Sequence, residues 1–245
     1  MKASLEQTVR EIAIKQPASV RVFESLGIDY CCGGQRSLRE ACERASVSPD
    51  EVLNRISGAE SEASTPAGDW TDASVAELTS HIVDDHHGYI RRESPRLISM
   101  CARVVERHGA AHPEVKSVQE LFQALADELS LHMMKEESML FPYLVQMEDA
   151  LRERRPVPPA MFGSVEMPIS RMLADHDDAG ALTARIRALS RGFAAPADAC
   201  PTYHALYQGL EDFERDLHRH IHLENNILFP RALDMERKEG AYAVR

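Results

Sequence analysis

The chain is expected to be all-α, a small helical domain followed by an up-down four-helix bundle. Three observations lead there. Nearly every segment spaces its apolar residues for a helix, and none alternates apolar and polar residues long enough for a convincing strand. One pattern, H-x3-E-x4-F-P, occurs twice: His132 and Glu136 before Phe141-Pro142, and His220 and Glu224 before Phe229-Pro230. A stretch rich in Gly, Ala, Ser, Glu and Pro, from Gly58 to Thr71, reads as a linker.

Before that stretch, about four short helices are expected. Several helix starts carry Ser or Thr followed three residues later by Glu, so that side chain and backbone cap each other. These are Thr8 with Glu11, Ser37 with Glu40, Ser48 with Glu51, and Ser74 with Glu77. Pro49 follows Ser48 at a first helical position, where a missing N–H costs nothing. After the linker come four long amphipathic segments, roughly 74–107, 113–148, 165–190 and 201–237. A Pro-rich connection, Arg155-Pro-Val-Pro-Pro159, joins the second to the third. This order predicts two helix hairpins. The domains are therefore placed at 1–57, with a linker at 58–73 and the bundle at 74–238.

His132 and His220 are 88 residues apart (220 − 132), and each lies in the second helix of its hairpin, as an internal duplication predicts. Residues i and i+4 share one face of a helix, so His and Glu at that spacing can grip one cation. Imidazole with carboxylate suits iron, manganese or zinc. If the hairpins are related, their first helices should supply equivalent ligands. His87 precedes His132 by 45 residues and His176 precedes His220 by 44. His86 competes with His87, and the hairpin alignment favours His87. The expected set is His87, His132, Glu136, His176, His220 and Glu224, enough for two metals with the glutamates bridging.

The remaining groups receive plainer readings. His218 and His222 form their own i, i+4 pair, about 200° around the helix from His220 and Glu224, and are expected on the outer face. Asp85, Asp175, Asp177 and Glu137 stand near ligands, where a carboxylate can hold a ligating imidazole; ordinary surface charge is the reading preferred for each. Met133 and Met134 are expected as core filler. The Phe-Pro pairs are expected to kink or end their helices.

Cys31 and Cys32 are adjacent and precede Gly33-Gly34. Neighbouring Cα atoms are about 3.8 Å apart, below the usual disulfide range of about 4.4–6.8 Å, so a bond between them would be strained. The glycines are expected to leave the thiols accessible, and the helix capped by Ser37 to lower a nearby thiol pKa. This predicts a redox or transfer role for Cys31 and Cys32. Cys42, Cys101 and Cys200 are read as structural.

Among the 245 residues, 44% are hydrophobic and 27% charged, as in soluble globular proteins. A net charge of −11 argues against nucleic acid as a partner. No apolar run is long enough to span a membrane, and no secretory signal is read at the start. Five scattered cysteines suit a reducing, cytoplasmic setting.

The segment Ile28-Asp-Tyr-Cys-Cys-Gly-Gly34, HMMKEE at 132–137 and HIHLENNILFPRAL at 220–233 carry a resemblance. Over nearly the whole chain it resembles the RIC family (repair of iron centres, the YtfE/ScdA type), di-iron proteins with a hemerythrin-like domain. The resemblance implies a ScdA-type double-cysteine domain and a hemerythrin-like bundle. It implies two non-haem iron ions, oxo- and carboxylate-bridged, on the six residues derived above. It further implies repair of iron–sulfur clusters damaged by nitrosative or oxidative stress, through iron donation, nitric oxide reduction, or both. Damaged iron–sulfur proteins would be the partners and NO or O2 the small ligands, with a homodimer as a candidate assembly. The alternative is a hemerythrin-like module that binds or senses O2, NO or iron without turnover.

Overall fold

The computed structural model describes residues 3–62 and 70–243, and among these there is no strand. By packing, the chain divides into Met1–Leu78 with His218–Asp234, and Thr79–Leu217 with Met235–Arg245.

The first unit opens with α1 (Val9–Lys15), α2 (Ser19–Leu26), α3 (Leu38–Ala45) and α4 (Pro49–Glu62). The expected caps form at Thr8 with Glu11 and at Ser37 with Glu40. The two capped starts lie side by side. Val9 and Arg10 N–H donate to Arg36 O and Gly34 O, while Leu38 and Arg39 N–H donate to Gln7 O and Leu5 O. Each helix thus finds partners for its first amides in the chain leading into the other. α2 ends at Gly27, whose φ of +65° is left-handed. Ile28 N–H then reaches back to Phe23 O at 2.9 Å, and both side chains join the core. That core holds Leu38, Cys42, Val52 and Ile56 as well. α4 begins at Pro49 as expected but runs to Glu62, so Gly58 is helical rather than the start of a linker. Residues 63–69 of the expected linker lie outside the described residues.

Farther along the chain, and mostly in the second unit, α5 (Val75–His81) enters a π-helical turn π1 (Ile82–His87) and continues as α6 (Gly88–His108). α5 is capped by Ser74 and Glu77. α7 (Glu114–Lys135) passes through π2 (Glu136–Leu140) into α8 (Phe141–Arg152). α9 (Glu166–Leu189) and α10 (Pro201–Leu223) follow; α10 leads into π3 (Glu224–Leu228) and α11 (Phe229–Ala243). These are the four long segments expected from periodicity. Phe122 of α7 meets Phe213 of α10 edge-on at 5.1 Å, and Arg187 of α9 pairs with Glu214 of α10. α9 begins where Glu236 of α11 accepts Val165 N–H at 2.8 Å and Ser164 Oγ–H at 2.9 Å, placing a carboxylate at the positive helix end.

The Phe-Pro pairs do not end their helices. Phe141 N–H bonds Glu136 O, and Phe229 N–H bonds Glu224 O, five residues back in each case. A proline ring crowds the carbonyl four residues before it. Widening the preceding turn by one residue accommodates the ring, and the helix resumes.

Candidate metal centre

Both H-x3-E segments fold alike: the Glu opens a π turn and the His lies one turn earlier on the same face. All six candidate ligands are buried, and His87, Glu136, His220 and Glu224 have no exposed surface.

In the bundle unit, His87 Nε2 lies 3.4 Å from Glu136 Oε2, and His132 Nε2 lies 3.3 Å from the same oxygen. His132 Nε2 and His176 Nε2 are 3.1 Å apart. One donor atom each from His132, Glu136 and His176 falls within 4.8 Å of the others. In the other unit, His220 Nε2 is 2.9 Å from Glu224 Oε1. Buried imidazoles and carboxylates turned toward one another are a donor set for a cation; desolvated carboxylates without a positive partner would be costly.

The far sides of two imidazoles face carboxylates as well. His87 Nδ1 lies 2.6 Å from Glu137 Oε1, which Arg91 also pairs with, and the His87 ring stacks on Phe141 at 6.0 Å. His132 Nδ1 lies 3.5 Å from Asp175 Oδ2. Burial pushes the Asp175 carboxyl up, but Lys135, Arg171 and His132 outweigh it and leave it below the usual range. Surface charge was the preferred sequence reading for both carboxylates. For Glu137 and Asp175 the structure replaces it with contact to a buried imidazole. Asp85 pairs instead with His81, and Asp177 is exposed.

His86 and His87 point to different partners: His86 Nδ1 meets Asp216 Oδ1 at 3.0 Å. His112 pairs with Asp198, and His204 is exposed. The outer-face expectation for the second histidine pair fails. His222 is buried, its ring 5.4 Å from that of Tyr30 and its Nδ1 2.8 Å from Asn226 Nδ2; burial pushes its pKa down to about 4. His218 is half-buried, edge-on to Tyr30. The hydrophobic pattern of α10 does not foretell that the N-terminal helices cover this face. The i, i+4 pair His222–Asn226 was the available hint. Met133 is buried as expected, but Met134 is exposed.

The cysteines differ from expectation too. Cys31 is buried, Cys32 half-buried, and their Sγ atoms stand 3.9 Å apart with no disulfide between them. The hydrogen bond to Cys32, together with burial, pushes the Cys31 thiol pKa up rather than down. Asp29 Oδ1 accepts both backbone N–H groups, at 3.2 and 3.0 Å. Neither Gly33 nor Gly34 has a positive φ. Gly34 is needed for space: a Cβ there would stand 2.9 Å from Tyr30 O. Of the other three, Cys42 and Cys101 are buried and Cys200 is half-buried.

The class of protein follows from comparison with known families. Residues 78–232 match the hemerythrin HHE cation binding domain, and residues 5–60 match the ScdA N-terminal domain, described as a domain of unknown function. With that bundle and its buried His/Glu cluster, the chain is a hemerythrin-type protein, and its membership implies iron binding.

Its relatives are similar end to end. The probable iron–sulfur cluster repair protein of Haemophilus influenzae is 35% identical, covering 94% of this chain and 97% of the relative. Iron–sulfur cluster repair proteins YtfE of Pectobacterium carotovorum and Escherichia coli are each 36% identical, covering 93% of this chain and 97% of theirs. The chain belongs to the YtfE/ScdA-type family of hemerythrin-like iron–sulfur cluster repair proteins.

Proposed function

We propose that this protein repairs iron–sulfur clusters damaged by nitrosative or oxidative stress, working from a non-haem di-iron centre. Each iron would take two of the four histidines His87, His132, His176 and His220, and Glu136 and Glu224 would serve both. The observation that supports this most is the recurrence of a buried His against a buried Glu at the mouth of a π turn, in both copies of the motif. Bound iron supplies redox chemistry toward NO or O2, and is itself cargo for a damaged cluster.

The chain's own residues prepare the site. Glu137 keeps a proton on the outer nitrogen of His87, which turns Nε2 toward Glu136 as a donor for a cation, and Asp175 sets a negative charge 3.5 Å from the outer nitrogen of His132. Burial keeps bulk water from the carboxylates. Cys31 and Cys32 are proposed to serve redox or transfer steps with a damaged iron–sulfur protein. Free cysteines suit a cytoplasmic location, and no described helix is long and apolar enough to cross a membrane.

The test is anaerobic purification, metal analysis and reactivation of a cluster-damaged dehydratase such as aconitase. About two irons per chain and recovery of activity are expected. Nitrous oxide formed over many turnovers selects NO reduction; iron lost from the protein as the cluster is rebuilt selects donation. Iron binding with neither outcome selects the non-catalytic binding module.

A further inference from the structure

The π turn that begins at Glu224 is fastened to the cysteine loop. Asn226 Nδ2 donates to Tyr30 O at 3.0 Å, and Asn225 Nδ2 donates to Cys31 O at 3.3 Å. Arg10 Nη2 donates to the backbone carbonyl of Asn226 at 2.9 Å. Gly34 lets the chains approach this closely, since a Cβ there would stand 3.3 Å from Asn226 Oδ1. One turn earlier, Arg219 grips both oxygens of Glu24 at 2.8 Å, and Glu24 accepts the Tyr30 hydroxyl at 2.9 Å.

The other copy of the motif shows that none of this is needed to build the turn. Where the second copy reads Glu224-Asn225-Asn226, the first reads Glu136-Glu137-Ser138. Glu137 pairs with His87, and Ser138 bonds Met134 O within its own helix. The turn forms equally well there. The two asparagines are thus among the places where the copies part, and their side chains reach the loop that holds the thiols.

We propose that Asn225 and Asn226 are positioning residues that couple cation binding at Glu224 to the reactivity of Cys31 and Cys32. This rests on the metal reading above. Glu224, Asn225 and Asn226 are consecutive in one stiff turn, so a cation that fixes the Glu224 carboxylate also fixes the two donors. Hydrogen bonds weaken steeply once their geometry is lost. Cys31 is buried and reacts only when its loop opens. A filled metal site therefore holds the loop shut, and by reciprocity an opened loop weakens the metal site.

The experiment is iodoacetamide alkylation of Cys31, read by mass spectrometry, in wild type, Asn226→Ala and Asn225→Ala. Each protein is taken iron-free and iron-loaded, with iron content measured alongside. Loading should slow alkylation of wild type about 5-fold or more, and of the variants less than about 2-fold. Asn225 is only partly buried, so Asn225→Ala carries the test even if Asn226→Ala misfolds. A wild type that holds iron yet alkylates equally with and without it overturns the coupling alone, as do variants that keep the wild-type difference. A wild type that takes up no iron overturns the metal reading and the coupling with it.

Discussion

His87 Nδ1 lies 2.6 Å from the Oε1 of Glu137, a residue 50 positions away and next in sequence to Glu136. One strand of sequence thus serves the same imidazole twice: Glu136 faces its Nε2 and Glu137 its Nδ1. This places π1 and π2 in fixed register.

Glu137→Gln keeps the shape of the side chain but loses its charge. It should weaken iron retention about 10- to 100-fold with little change in helical content, as loss of an outer partner of a ligating histidine does. Chelator competition followed by circular dichroism checks both halves. His86→Ala, which removes a ring bonded to Asp216 instead, should leave iron content near that of wild type. Equal loss of iron in both variants would reverse the assignment.

The last turn of α10 offers a second comparison. His220→Ala should lower iron content, because it removes the ring facing Glu224. His218→Ala should not. His222→Ala should keep iron but lower the melting temperature, since it empties a buried position against Tyr30 and Asn226. Metal analysis and thermal melts of the three single variants separate these roles.

Removing iron should destabilise the protein. The candidate histidines and glutamates are buried, and a bound cation would offset the cost of desolvating them, so binding is linked to folding. A ligand at 100 times its Kd adds about 2.7 kcal/mol of stability, enough to shift Tm by several degrees. Calorimetry of iron-loaded and chelated protein measures it. Coincident melts would contradict a buried metal site.

The pair His112–Asp198 gives a pH signature remote in sequence from the candidate ligands. The bond to Asp198, with help from Glu114, raises the His112 pKa, and the same bond lowers that of Asp198. The histidine contribution is complete below its unfolded value of about 6.5 and is lost as pH rises through the higher folded value. The aspartate contribution is present above its unfolded value of about 3.9 and is lost as pH falls through the lower folded value. The Tm difference between wild type and Asp198→Asn should therefore be largest near about pH 5 and shrink by about pH 8.5. A difference independent of pH would show that the pair adds no charge interaction.

Much of the protein was legible in the residue order, because its determinants are local. Helix periodicity, the caps at Thr8, Ser37 and Ser74, and the i, i+4 spacing of His132 with Glu136 and of His220 with Glu224 all act within a turn or two of chain. The duplication also singled out His87 and His176, which share no local pattern but stand at matching distances from the repeated motif. The π turns were not legible, although each Phe-Pro marks where one ends. The pattern shows that a proline must be accommodated, not whether the helix breaks or widens. Only the tertiary structure decided what covers the remaining surfaces. Glu137 and Asp175 became partners of buried imidazoles, His222 was enclosed under Tyr30, and the Cys31 thiol was buried with its pKa raised. Each outcome depends on a residue at least 40 positions away brought within a few ångströms, except at Cys31. There the neighbours are local, but the burial that governs the thiol is set by how its loop packs. Desolvation and long-range pairing follow from which helix faces meet, and periodicity along one helix does not encode its neighbour.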